Sequence, residues 1–184
     1  MKKVLVFLAD GFEEIEALSV VDVMRRADLK CDLCSIKDEY VRGTHNIIVK
    51  SDCIIDDVNQ DEYDAIVLPG GLPGADNLLD ERVKNMALKL NSEGKIVAAI
   101  CAAPQTLEAF GLLDDKKCTS YPGFIKGRES NGEANEARGY ARELMSRVRE
   151  KFNSEICADL KRNKVSCAEI IDFSYEALKE VLDK

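Results

Sequence analysis

The stretch Lys95-Ile-Val-Ala-Ala-Ile-Cys101-Ala-Ala-Pro104 limits the fold more than any other part of the chain. From Ile96 to Ile100, branched and small apolar residues run without a polar break, the pattern of a parallel strand covered on both faces. Pro104 then falls inside the first turn of a helix-like run through Phe110, where a missing N–H does no harm. The expectation is a strand, a sharp turn and a helix, with Cys101 at the bend. A side chain held there stands above the carboxyl ends of the strands, the usual position of a ligand crevice in an open α/β sheet.

The same pattern recurs upstream. Residues 3–8 form a short apolar run suited to a buried strand, closed by Asp10-Gly11. Glu13 to Ala27 carries Ile15, Ala17, Leu18, Val21 and Met24 at close to helical spacing. Its early acids (Glu13, Glu14, Glu16) and late bases (Arg25, Arg26) suit the helix dipole. Residues 30–36 predict a second strand, and 41–55, interrupted by Gly43, a hairpin or crossover. Tyr63 to Leu68 predicts a strand ending in Pro69-Gly70-Gly71, and Glu81 to Leu90 a helix closed by Glu93-Gly94. A short strand is expected over Lys117–Ser120. Strands alternating with helices in this order predict a doubly wound, flavodoxin-like parallel sheet sandwiched by helices. From about Ser130 the character changes to charged helical runs, 134–152 and 168–182, with Lys164–Cys167 the only weak strand candidate. The expected division is an α/β domain over 1–128 and a helical C-terminal appendage over 129–184.

Composition narrows the function classes. A net charge of −8 with no stripe of Lys and Arg argues against nucleic acid as a partner. No apolar run approaches the roughly 18 residues that span a bilayer, so no membrane association is expected. The opening Met-Lys-Lys-Val-Leu-Val-Phe-Leu reads as a first strand, because Asp10 ends its apolar run too early for a signal peptide. Of the seven cysteines, Cys31 and Cys34 are the closest in sequence; reduced thiols and a cytoplasmic location are expected. His45 is the single histidine, which excludes a multi-histidine metal site. No metal and no cofactor are expected.

Taken from local pattern alone, the candidate residues keep two roles each. Cys101 is either a small apolar filler or a thiol activated at a helix start, in a geometry like the strand–nucleophile–helix elbow of α/β hydrolases. Glu16 is either a solvated first-turn acid or a carboxyl that keeps a proton in an apolar crevice and exchanges it with the thiol. Gly70-Gly71 is either a tight turn or a pair of bare N–H groups facing a substrate oxyanion. Tyr121 either orients a ligand or caps the core.

Four segments in order carry a family resemblance: Ala9-Asp-Gly-Phe-Glu-Glu-Ile-Glu16-Ala, Val23-Met-Arg-Arg-Ala27, Tyr63-Asp-Ala-Ile-Val-Leu-Pro-Gly-Gly71 and Ile96-Val-Ala-Ala-Ile-Cys101-Ala-Ala-Pro104. Together they resemble the ThiJ/PfpI superfamily over residues 2–127, and within it the branch of the Parkinson-associated protein deglycase. The resemblance implies Cys101 as nucleophile and Glu16 as its hydrogen-bonded carboxyl partner. It places Gly70, Gly71 and Ala102 at the oxyanion-hole amides, with Tyr121-Pro122 where some relatives carry histidine. The implied activity is cofactor-free, glyoxalase- or deglycase-type chemistry on a small reactive carbonyl or glycated substrate, of a hydrolase or lyase class. The alternative is a non-enzymatic, peroxide-sensing or chaperone-like stress protein whose Cys101 is oxidised. Peptidase activity is disfavoured, since His45 matches no catalytic position.

The chain departs from the pattern after Tyr121-Pro122, where relatives have further strands and a glycine-proline-glycine turn. Residues 134–184 instead weakly resemble the tails of small cysteine-bearing redox proteins, through Phe152–Cys157 and Val165–Cys167, and no metal is assigned to those cysteines. These helices are expected to cover the open sheet edge or to pack on a partner subunit, which leaves a homodimer open.

Overall fold

Strand β1 (Lys3–Leu8) alternates between two separate cores, which is why its sequence has no polar break. The structure is a computed structural model and describes residues 2–116, 118–125, 143–154, 162–166, 169–170, 172–174 and 176–177. In chain order the first elements are α1 (Glu14–Arg26), β2 (Lys30–Ser35), β3 (Tyr40–Arg42), β4 (Ile48–Lys50) and β5 (Cys53–Ile54). They are followed by β6 (Ala65–Leu68), α2 (Gly74–Asn77), α3 (Glu81–Ser92), β7 (Ile96–Ala99) and α4 (Pro104–Ala109).

Val4, Val6 and Leu8 pack on one side with Phe12 and with Ala17 and Val21 of α1. Leu5, Phe7 and the following Ala9 pack on the other with Val83, Met86, Ala87 and Leu90 of α3 and Leu107 of α4. Five parallel strands make the sheet, in the order β5-β2-β1-β6-β7, so the fold is the expected flavodoxin-like α/β sandwich. The stretch that superficially looked like a leader is therefore the middle strand of the sheet.

The strand period also explains the cysteines of β2. Cys31 and Cys34 are three residues apart, so the pleat turns them to opposite faces. Cys31 joins the α1 core and Cys34 the α3 core, and both are free thiols.

The 41–55 segment resolves into an antiparallel hairpin, β3–β4, and the two-residue strand β5 that joins the main sheet beside β2. No strand forms at residues 118–120, which are irregular, and residue 117 lies outside the described residues. In place of a strand ladder, the Tyr121 N–H donates to the Cys101 carbonyl at 2.7 Å, so this segment is tied to the bend. The short helix α2 had no sequence signal of its own.

Chain contacts divide the molecule into Met1–Glu129 and Ser130–Lys184. Within the second unit, residues 143–152 are helical, as are 169–170, 172–174 and 176–177. The remainder of the expected helices, Cys157 and Cys167 lie outside the described residues. Residues 164–166 form no strand. No described helix is long and apolar enough to cross a membrane.

Phe7, fully buried at 0 % exposure in the middle strand, is the sharpest test of this packing. Phe7→Ala is expected to cost about 3–5 kcal/mol, while the surface change Lys84→Ala stays within about 0.5 kcal/mol. Urea denaturation of the two variants beside the parent checks this; equal midpoints would contradict the assignment of Phe7 to the core.

Candidate active site

Three adjacent strands deliver the candidate residues to one place. β1 leads through Gly11 into α1, which carries Glu16; β6 ends at Leu68 and runs into Gly70-Gly71; β7 ends at Ala99, two residues before Cys101. Leu68 and Ala99 are register partners, so Gly70 and Cys101 leave the sheet side by side. A Cβ placed on Gly70 would lie 2.8 Å from the Cys101 Cβ and 2.8 Å from Glu16 Oε2. Only glycine admits both neighbours.

Cys101 has φ of +60°, the left-handed region that a non-glycine residue enters at a cost of roughly 1–3 kcal/mol. The bend is held by hydrogen bonds on both sides: Ala103 N–H donates to Ile100 O at 3.0 Å, and Tyr121 N–H to Cys101 O at 2.7 Å. The half-buried sulfur meets the Glu16 carboxyl and the backbone N–H groups of Ala102 and Gly71.

Glu16 is fixed independently of the sulfur. Its Oε2 accepts from the Gly70 N–H at 2.8 Å, and the Gly70 carbonyl in turn accepts from the Glu13 N–H at 2.9 Å. The Gly70 amide, expected to face a substrate oxyanion, is therefore committed to the carboxylate. It positions Glu16; the amides left facing the sulfur are those of Gly71 and Ala102. Gly71 has φ of +93°, and a Cβ there would stand 2.4 Å from Gly11 O and 2.5 Å from Glu13 N, so this position also requires glycine.

Burial pushes the Cys101 thiol up, and the hydrogen bond and charge of Glu16 push it further; the Ala102 and Gly71 amides pull down without prevailing. A helix start was expected to favour the thiolate. Helix α4 begins only at Pro104 and is six residues long, so its effect is weak against desolvation and a facing carboxylate. Burial and the facing carboxylate thus favour the neutral thiol at Cys101.

Tyr121 enters the site through its backbone. Its ring is exposed and packs edge-on against Phe124, with centroids 5.9 Å apart.

Glu14, two residues from Glu16, points elsewhere, since such a pair is separated by about 200° around a helix. Its buried carboxylate accepts from the His45 backbone N–H at 2.7 Å and meets the His45 ring Nδ1 at 2.8 Å, with Glu13 Oε1 3.7 Å from the same nitrogen. Glu13, Glu14 and His45 bring potential metal-ligating atoms within 4.8 Å of one another, the one such group among the described residues. These atoms are already engaged with each other. Sequence inspection missed the cluster because His45 is 31 positions from Glu14 and no spacing pattern links them.

Residues 2–153 match the DJ-1/PfpI family. The chain belongs to that family. Protein DJ-1 homolog A of Arabidopsis thaliana is 38% identical over 128 residues, covering 68% of this chain and 33% of that protein. Deglycase PfpI of Pyrococcus furiosus is 37% identical over 122 residues, covering 66% of this chain and 74% of its own length. A solved structure, Toxoplasma gondii DJ-1, oxidized, is 41% identical with a TM-score of 0.66, covering 68% of this chain and 70% of that one. The chain spans about a third of the length of the Arabidopsis relatives it matches. Proteins named deglycase and proteins named DJ-1 both stand among the DJ-1/PfpI relatives of this chain.

The His45 cluster makes stability depend on pH. His45 is raised, by its hydrogen bond to Glu14 and then by the Glu13 charge, so its contribution is full below about 6.5 and lost as pH rises through the higher folded value. For Glu14, burial pushes up but the hydrogen bonds from His45 and backbone amides win, and its value is lowered. Its contribution is present above about 4.3 and lost as pH falls through the lower folded value. His45→Asn should therefore destabilise most between about pH 4.5 and 6.5, and less at pH 9. Urea midpoints of parent and variant across this range check it; a gap that grows with pH would refute the pairing.

Proposed function

We propose that this chain is a cysteine-dependent, cofactor-free enzyme acting on small 2-oxoaldehydes or the adducts they form. The observation that carries the reading is Cys101, held at φ of +60° against Glu16, whose carboxylate is fixed by the Gly70 N–H at 2.8 Å. Its relatives named deglycase support an enzymatic role.

Glu16 takes the thiol proton as the sulfur attacks the aldehyde carbon, forming a C–S bond, and hands it to the resulting alkoxide, which gives a hemithioacetal and frees the carboxylate. The amides of Gly71 and Ala102 face the oxygen on which charge develops. Glu16 then moves a proton from the former aldehyde carbon to the neighbouring carbonyl carbon by way of an enediol, leaving a 2-hydroxy thioester. Water cleaves the C–S bond, the 2-hydroxy acid departs and the sulfur regains its proton. The net change adds one water to the oxoaldehyde and consumes no redox equivalents.

The raised Cys101 value favours this shared-proton route over attack by a standing thiolate. It also weighs against the peroxide-sensing alternative, since peroxide reacts with thiolates.

Incubation of the full chain with methylglyoxal is expected to yield lactate. Cys101→Ala should abolish product, and Glu16→Ala should lower the rate by about 10²–10⁴-fold. Proton NMR of the mixture measures both. Selective oxidation of Cys101 by peroxide with no lactate formed would replace the enzymatic reading with the sensing one.

A further inference from the structure

We propose that Cys34 and Cys53 constitute a disulfide-forming site, separate from Cys101, at which peroxide links the edge strand β5 to β2. The two residues are register partners on neighbouring parallel strands, Cys34 opposite Cys53 and Ser35 opposite Ile54. Paired strands lie about 4.8 Å apart, inside the roughly 4.4–6.8 Å that a disulfide requires between its Cα atoms. Register partners share a face, and both side chains pack on the same core, Cys34 fully buried and Cys53 half-buried.

Both thiols are free and already interact. The neighbouring Cys53 and then burial push the Cys34 thiol up, while the Cys34 and Cys53 Sγ atoms donate to Ser35 O at 3.7 Å and Leu33 O at 3.8 Å. The difference in exposure assigns the roles. Cys53, half-buried on the edge strand, meets the oxidant; Cys34, fully buried alongside it, resolves it. β5 is two residues long and forms the outer edge of the sheet, so the strand can shift to bring the sulfurs to bonding distance. Cys31, turned to the opposite face of β2, is excluded as a partner.

The chemistry balances with hydrogen peroxide as oxidant. The Cys53 thiolate attacks one peroxide oxygen; the O–O bond breaks, giving a sulfenic acid and a hydroxide that becomes water on gaining the thiol proton. The Cys34 sulfur then attacks the Cys53 sulfur, its proton passes to the leaving hydroxyl, the S–O bond breaks and a second water departs. Two thiols are oxidised to one disulfide and one peroxide is reduced to two waters. The bond closes a loop that contains the β3–β4 hairpin and His45.

The test uses the full chain carrying Cys31→Ala and Cys101→Ala, treated with a small molar excess of hydrogen peroxide while folded. Alkylation under denaturing conditions with iodoacetamide, tryptic digestion and mass spectrometry follow. The expected product is residues 31–37 linked to residues 51–82, converted by dithiothreitol into two separately alkylatable peptides. Adding Cys53→Ala should remove the linkage. Adding Cys34→Ala should leave Cys53 as a sulfenic acid that dimedone traps; should that buried substitution prevent folding, the half-exposed Cys53→Ala still carries the test. Recovery of Cys34 and Cys53 as free thiols, linkage through Cys118 instead, or Cys53 driven unlinked to sulfinic acid would each overturn the proposal.

Discussion

One backbone hydrogen bond organises the candidate site: the Gly70 N–H donates to Glu16, while the Gly70 carbonyl accepts from Glu13. The exchange joins the first turn of α1 to the loop after β6. It holds a carboxylate beside the end of β7 without using any other side chain. Close approach is the condition for it. Because Gly70 has no Cβ, the carboxylate and the Cys101 side chain can both occupy the space that a methyl group would take. The strained backbone of Cys101 is then held from outside by Tyr121, whose main chain grips the carbonyl of the bend.

The acids of α1 show how position on one helix separates roles. Glu14 is buried and ion-paired with His45, anchoring the hairpin side of the molecule. Glu16, around the helix, faces the Cys101 thiol, and no ion pair involves it among the described residues. The His45 and backbone hydrogen bonds hold the Glu14 carboxyl below its ordinary value despite its burial. Glu14 is therefore committed to pairing with His45 while Glu16 sits at the Cys101 bend, although the two residue types are identical and two positions apart.

Much of the fold was legible beforehand. The apolar runs at 4–8, 65–68 and 96–100 identified parallel strands; the first two are covered on both faces, whereas β7 is an edge strand that leaves Ile96 and Ile100 exposed, so its expected burial does not hold. The bend at Cys101 was readable from the strand ending against Pro104. Less legible were the shortest pieces: the four-residue α2, the two-residue β5, and Lys117–Ser120, expected as a strand but irregular over 118–120. Short segments of that kind take their conformation from what they touch.

Local sequence determined the order of strands and helices and put Cys101, Glu16 and the paired glycines at strand ends, since side-chain periodicity and turn chemistry act over a few residues. Tertiary structure alone decided which group each amide serves: Gly70 holds Glu16, while Gly71 and Ala102 face the sulfur. It also decided that Cys34 lies against Cys53, remote in sequence, and away from Cys31, its sequence neighbour. Hydrogen bonds and sulfur contacts form over a few ångströms between segments tens of residues apart, a distance that strand register sets and residue spacing does not encode.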